Sequence, residues 1–266
     1  MPEGLDWYQI DAFVEGPFSG NPAAVYALPR WLPDAQLQAI AESHNLSETA
    51  FLVPCEAGTW RLRWFTPSTE VDLCGHATLA AAWALFEHQS PQADTLHFRT
   101  RSGVLHVERD GGLLRMNFPA LAPQPVASSL SARLGSALGV QPQQVLGNVD
   151  LLAILANETA VRTLAPDLHA LTALECRGVI VSAPGDDVDF VSRFFAPRVG
   201  VDEDPVTGSA HCLLTPYWSA RLARDELLAR QLSRRGGWLR CTQRGDRVLL
   251  AGRCRLFATG RTFLPD

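Results

Sequence analysis

No two cysteines stand in C-x-x-C spacing, and no two histidines in H-x-x-x-H spacing. No G-x-G-x-x-G follows a strand-like run, and neither a Walker loop nor a G-x-S-x-G turn occurs. These gaps argue against a thiol redox centre, a helix-borne zinc site, a dinucleotide fold, a P-loop and an α/β-hydrolase nucleophile. The longest apolar stretch, Ala77 to Phe86, is far too short to span a bilayer. The formal charge of -5 is spread without long runs of either sign, and no basic stripe interleaves with aromatics. Nucleic acid and membrane are therefore not expected partners. The opening MPEGLDWYQIDAF has no basic segment followed by an apolar one, so a cytoplasmic protein is expected. Its six cysteines then read as free thiols rather than a disulfide framework. With 266 residues there is room for one large domain or two modest ones.

What the chain does have is a long internal repeat. Arg63-Trp64-Phe65-Thr66-Pro67 leads to Cys74-Gly75-His76-Ala77, and Arg193-Phe194-Phe195-Ala196-Pro197 leads to Thr207-Gly208-Ser209-Ala210. Each copy reads as an aromatic strand, a Pro turn, an acidic loop, a small-residue turn and an Ala/Leu-rich helix. The period is too long for a solenoid. Two related lobes are expected, with a site at the seam between them.

Around the repeat, strands are expected at Trp7 to Phe13, Ala23 to Leu28, Thr49 to Val53 and Arg61 to Thr66, and a helix from Pro33-Asp34 to His44-Asn45. His76 to His88 is apolar nearly all round, which predicts a helix buried on every side. Three strands follow, at 95–99, 104–109 and 113–118, the last two joined by Asp110-Gly111-Gly112. Pro119 to Ser129 is the linker candidate. Beyond it come a helix at 130–138, strands near 149–155, 178–182 and 189–195, a second buried helix at 209–222 and a further helix from Arg224 to Leu232. Three closing strands surround Trp238, Val248 and Phe257.

Each buried helix starts at a small-residue turn. Its first N–H groups lack internal partners and carry partial positive charge, a setting that binds carboxylates. Asp202-Glu203-Asp204-Pro205 precedes the second turn; it reads either as a solvated loop with Asp204 or Thr207 capping the helix, or as setting Asp204 beside His76 as a site carboxylate. His76 reads as a neutral hydrogen-bonding group or a cap, and Cys74 as a thiolate stabilised at a helix N-terminus or a small buried apolar group. Taken alone, Glu48 reads as a surface carboxylate at a strand start.

Asp11-Ala12-Phe13, Gly20-Asn21-Pro22-Ala23-Ala24-Val25, Ser47-Glu48-Thr49-Ala50-Phe51, Glu70-Val71-Asp72-Leu73-Cys74-Gly75-His76-Ala77, Glu203 to His211 and Gln231 to Gly237 occur in order over nearly the whole chain. In this the sequence resembles the phenazine-biosynthesis PhzF-like isomerases. The resemblance implies an α/β (α+β) fold of the diaminopimelate-epimerase-like type. Two pseudo-symmetric lobes each wrap a barrel-like sheet around a central helix, the first spanning 1–119 with the last strand (about 254–266) and the second 120–253. It also implies a homodimer and a small carboxylic acid substrate, with no cofactor and no metal. The family's name-giving enzyme isomerises trans-2,3-dihydro-3-hydroxyanthranilate by moving a proton. Carried over by motif, Glu48 is the proton shuttle, His76 and Asp204 are its catalytic partners, and Asn21, Gly75, Gly208 and Ser209 bind substrate.

Related epimerases oppose two cysteines; here the matching positions are Cys74 and Thr207, and threonine is no base near neutral pH. A single carboxylate that removes and returns a proton is what remains. A one-base or Cys74-assisted racemase is the alternative enzyme, and a non-catalytic ligand-binding or scaffold protein is the alternative of another class. The intact set of Glu48, His76, Asp204 and Ser209 speaks against the last, since binding alone has no need of the carboxylate.

Overall fold

The computed structural model describes residues 4–56 and 58–264. The chain divides into two units, Met1–Asn117 with Ala251–Asp266, and Phe118–Leu250. The ends of the expected first lobe, residues 1–3 and 265–266, lie outside the described residues.

In the first unit the closing strand Cys254–Phe263 pairs antiparallel with Gly4–Ala12, which pairs antiparallel with Asn21–Ala27. The sheet continues parallel to Glu48–Pro54, antiparallel to Thr59–Phe65, parallel to Thr95–Thr100 and antiparallel to Gly103–Asp110. The hairpin to Leu113–Pro119 turns at Gly111 and Gly112, both with positive φ. In the second unit Leu151–Ile154 runs parallel to Val179–Pro184, antiparallel to Phe190–Phe195, parallel to Glu226–Gln231 and antiparallel to Gly237–Arg244. The two orders are the same: parallel, antiparallel, parallel, antiparallel. The repeat seen in the sequence is therefore a repeat of topology.

In both units the crossover between the second pair of parallel strands is the buried helix. Gly75–His88 has ten of its 14 residues buried and packs on strands 4–12, 21–27, 48–54 and 254–263. Its small Ala side chains let the sheet approach closely. Gly208–Leu222 plays the same part in the second unit, packing on Glu226–Gln231 and Gly237–Arg244. It carries Trp218, fully buried and stacked on Phe190 at 5.7 Å, with its indole N–H donating to Ser182 Oγ at 2.9 Å. A buried indole needs such a partner.

One expected element is wrong. Arg224 to Leu232 does not form a helix; Glu226–Gln231 is a strand. Its Leu, Ala and Arg favour helix locally, but Leu227, Ala229 and Gln231 alternate inward with the period of a strand. Pairing on both edges overrides the local preference. The repeat foretells this, because the helix Gly75–His88 is also followed by a strand, Thr95–Thr100. The short helices Glu158–Arg162 and Leu168–Thr172 have too few turns to leave a periodic signature and were not expected.

The topology repeat comes with a repeated ion pair. Arg63 donates through Nε and Nη2 to the Glu70 carboxylate, both at 2.7 Å. Arg193 donates through the same two atoms to Glu203, at 2.7 and 3.0 Å. Each guanidinium also lies over the ring two residues on, Phe65 at 5.1 Å and Phe195 at 4.8 Å. Bidentate pairing of this kind fixes direction as well as distance. It anchors each acidic loop to the strand before it, just ahead of the helix start.

Candidate functional site

In the first unit four expected residues converge. Asn21 opens its strand directly after Gly20, whose φ of +83° and whose missing Cβ, which would meet Ala12 O at 2.5 Å, make glycine necessary there. Glu48 opens the next strand, paired beside Ala23. Cys74 is the N-cap of the buried helix, and His76 is its second residue. His76 does not cap the helix in the way the sequence allowed, since its ring nitrogens face Asn21, Cys74 and Glu48; Cys74 makes no side-chain cap bond.

Asn21 Nδ2 lies 3.2 Å from His76 Nδ1. An amide nitrogen can only donate, so Nδ1 accepts and the imidazole proton sits on Nε2. That Nε2 lies 3.2 Å from Glu48 Oε2, off the line of a hydrogen bond. Such contacts commonly tighten only when substrate is present. Cys74 Sγ approaches Nδ1 from 3.5 Å. The His76 side chain is 5% exposed and that of Glu48 19%. Burial pushes the His76 pKa down to about 3, so the ring is neutral near pH 7 despite its carboxylate neighbour.

Donor atoms of Glu48, Cys74 and His76 lie within 4.8 Å of one another, a grouping that could hold a metal ion and that the sequence spacing did not announce. Cys74 and Glu48, however, face opposite ring nitrogens of His76. One ion can take only one of those nitrogens, so this arrangement suits proton handling better than chelation. A separate cavity of about 480 Å³ in the same unit is lined by Trp7, Tyr26, Ile40 and His44 among others; none of Asn21, Glu48, Cys74 or His76 lines it.

In the second unit Asp204 is held from three sides. Its N–H donates to Phe194 O at 3.1 Å, its carbonyl accepts from Gln231 Nε2 at 2.8 Å, and its carboxylate accepts from Thr207 Oγ1. Gln231 is fully buried and also accepts from Thr207 N at 2.9 Å. Thr207 is the N-cap by backbone but makes no side-chain cap, since its hydroxyl is turned to Asp204. Gly208 and Ser209 begin the helix, and Ser209 Oγ accepts from Arg177 Nη2 at 3.0 Å. Arg177 also holds the buried Asp150 through Nε and Nη2. Sequence reasoning gave no role to Arg177, Asp150 or Gln231. Their partners are 27, 32 and 24 residues away, beyond any local motif.

The buried histidines predict acid sensitivity. His211 is pushed down to about 4 by burial, which outweighs the bond between its Nδ1 and Thr207 O at 2.8 Å. Both folded pKa values lie below the unfolded value of roughly 6.5, so the unfolded chain binds these protons first. Their contribution to stability is complete above about pH 6.5 and is lost as pH falls toward 4 for His211 and 3 for His76. Urea unfolding between pH 7 and 4.5 should show a loss approaching about 1.4 kcal/mol per pH unit for each ring. His211→Asn, which retains a donor, should roughly halve that slope; an unchanged slope would place the proton uptake elsewhere.

The family model described as phenazine biosynthesis-like protein matches residues 10–260. The chain belongs to this family. A Pseudomonas aeruginosa protein named an uncharacterized isomerase is 55% identical over 258 residues, which cover 97% of this chain and 98% of that one. The crystal structure of a PhzF-family phenazine biosynthesis protein from Enterococcus faecalis has a TM-score of 0.95 at 46% identity, covering 98% of this chain and 100% of that chain. A hydroxyproline epimerase from Agrobacterium vitis, with bound trans-4-OH-L-proline, has a TM-score of 0.63 at 11% identity, covering 100% of this chain and 95% of that one. At that identity the likeness concerns the fold alone, and the fold is that of the epimerases. With relatives 55% and 45% identical named isomerases, this PhzF-family member is an isomerase-type enzyme. Among its described residues no helix is long and apolar enough to cross a membrane.

Proposed function

We propose that this PhzF-family protein is a cofactor-independent isomerase that moves a proton on a small cyclic or amino carboxylic acid, with Glu48 as the proton carrier. The observation that carries the reading is the neutral His76 ring placed against Glu48 and oriented from its other side by Asn21. Glu48 as carboxylate takes a proton from carbon and becomes the acid. The electron pair delocalises into the unsaturated or carboxylate part of the substrate, and the Glu48 carboxyl, whose proton exchanges in part with solvent, returns a proton to carbon at its new position. His76 keeps its own proton throughout and donates a hydrogen bond, since protonating so deeply buried a ring is costly. Asp204 is assigned a substrate hydrogen bond, and Gly75, Gly208 and Ser209 contacts to its polar groups. All 23 basic side chains of the Lys+Arg total are arginine, so the sequence offers no lysine for a Schiff base. A homodimer in the cytoplasm is part of this proposal, and sedimentation velocity checks the first half of it.

The test is exchange of solvent deuterium into a panel of small cyclic and amino carboxylic acids, followed by turnover of any acid that exchanges. On such a substrate Cys74→Ser should keep most of the activity, within about threefold, because the thiol is not the carrier and contributes less than the 10²-fold scale of a general base. A chelator should leave the rate unchanged. If Cys74→Ser abolishes turnover while Glu48→Gln does not, the protein is a thiol-based racemase instead.

A further inference from the structure

The repeat allows the two units to be compared position by position. Phe65 and Phe195 are equivalent, and they pair with Thr49 and Val179 respectively. The residue equivalent to Glu48 is therefore Gly178, and Arg177 stands one place before it. The helix-start equivalence sets His76 against Ser209. In the first unit the start of this strand meets the second residue of the helix as Glu48 against His76; in the second unit it meets it as Arg177 against Ser209. The carboxylate position is a glycine in the second unit, and the residue before it, equivalent to Ser47, brings a guanidinium to the helix start instead.

The second unit cannot carry a side chain where the first carries Glu48. A Cβ on Gly178 would stand 2.3 Å from Phe194 Cζ, in the ring of the residue after Arg193. The Arg177 guanidinium lies 5.8 Å from the centre of that same ring. One edge of the guanidinium, Nε and Nη2, is fixed by Asp150, which is only 2% exposed. Nη2 also reaches Ser209 Oγ, while Nη1 makes no hydrogen bond among the described residues. The side chain is 41% exposed. A guanidinium braced on one edge and open on the other loses little conformational freedom when it takes an anion.

We propose that Arg177, braced by Asp150, is a carboxylate-recognising residue of the second unit, with Ser209 as its hydroxyl partner. This rests on the reading of the substrate as a small carboxylic acid. The duplication has then given the two units different groups near this strand start: a carboxylate in the first, and in the second a cation braced to hold an anion. Asp150 and Ser209 are positioning residues for that guanidinium.

Benzoate and its uncharged analogue benzamide test the assignment without knowledge of the substrate. Wild-type protein should bind benzoate at least tenfold more tightly than benzamide by calorimetry. The Arg177 side-chain N–H resonance, followed in ¹⁵N-arginine-labelled protein, should shift on adding benzoate and not benzamide. Arg177→Met should abolish the preference, and Arg177→Lys, which keeps the charge in case the first variant does not fold, should retain only part of it. Turnover of Glu48→Gln is read separately: if it is retained, the proton-carrier reading fails while this one stands. Wild-type protein with no preference for benzoate, or an Arg177→Met variant that keeps the preference, overturns the proposal.

Discussion

Glu48→Gln is expected to reduce turnover of any confirmed substrate by about a hundredfold or more, the usual scale for loss of a general base, with the fold intact. Gln preserves the shape of the side chain at the start of strand Glu48–Pro54 and its place beside His76. It removes only the capacity to take a proton. Because the side chain is 19% exposed, the neutral substitution leaves no buried charge stranded and should not cost stability. Thermal unfolding and a rate assay on the same sample separate the two effects. A variant that turns over at near-normal rate removes Glu48 from the mechanism whatever its stability.

The largest expected stability loss comes from Gln231→Leu. Gln231 is fully buried and makes three hydrogen bonds to the segment before the second central helix: from Thr207 N at 2.9 Å, to Asp204 O at 2.8 Å and to Thr207 Oγ1 at 3.2 Å. Leucine fills a similar volume and satisfies none of these groups. Leaving a buried N–H and a buried carbonyl unpaired should cost about 2–4 kcal/mol. Urea unfolding reads this directly. Gln231→Glu, which keeps an acceptor for Thr207 N, should lose less than Gln231→Leu. A loss for the Leu variant below about 0.5 kcal/mol, the range of an ordinary surface change, would mean that the Asp204–Thr207 segment is held by its other contacts.

The parts of this molecule that were legible in the sequence are those written in local period or in repetition. The helix Gly75–His88 shows itself because its apolar residues leave no polar face. The hairpin at Gly111-Gly112 shows itself through its turn residues. Asn21, Glu48 and His76 could be named from motifs, but not shown to meet, because the parallel pairing of their strands and the crossover helix bring together residues 27 and 28 positions apart. The strand Glu226–Gln231 reads locally as helix because Leu227, Leu228, Ala229 and Arg230 all favour helix, and only the pairing partners decide otherwise. Arg63 and Arg193 were visible as repeat members, yet their shared role rests on Glu70 and Glu203, which sit at different spacings in the two copies. Arg177 carried no signal at all: its meaning depends on Asp150 and Ser209, and on a glycine beside it that leaves no room for a carboxylate.

The claim at the centre of this account is that one carboxylate both removes and returns the proton. Single turnover in H₂O of a confirmed substrate deuterated at the transferred position tests it most directly. A single Glu48 carboxyl shielded beside His76 predicts that part of the label is carried into the product at its new carbon, and that Glu48→Gln carries none because it does not turn over. Complete loss of label to solvent in the wild-type product, with transfer surviving in Glu48→Gln, would contradict it.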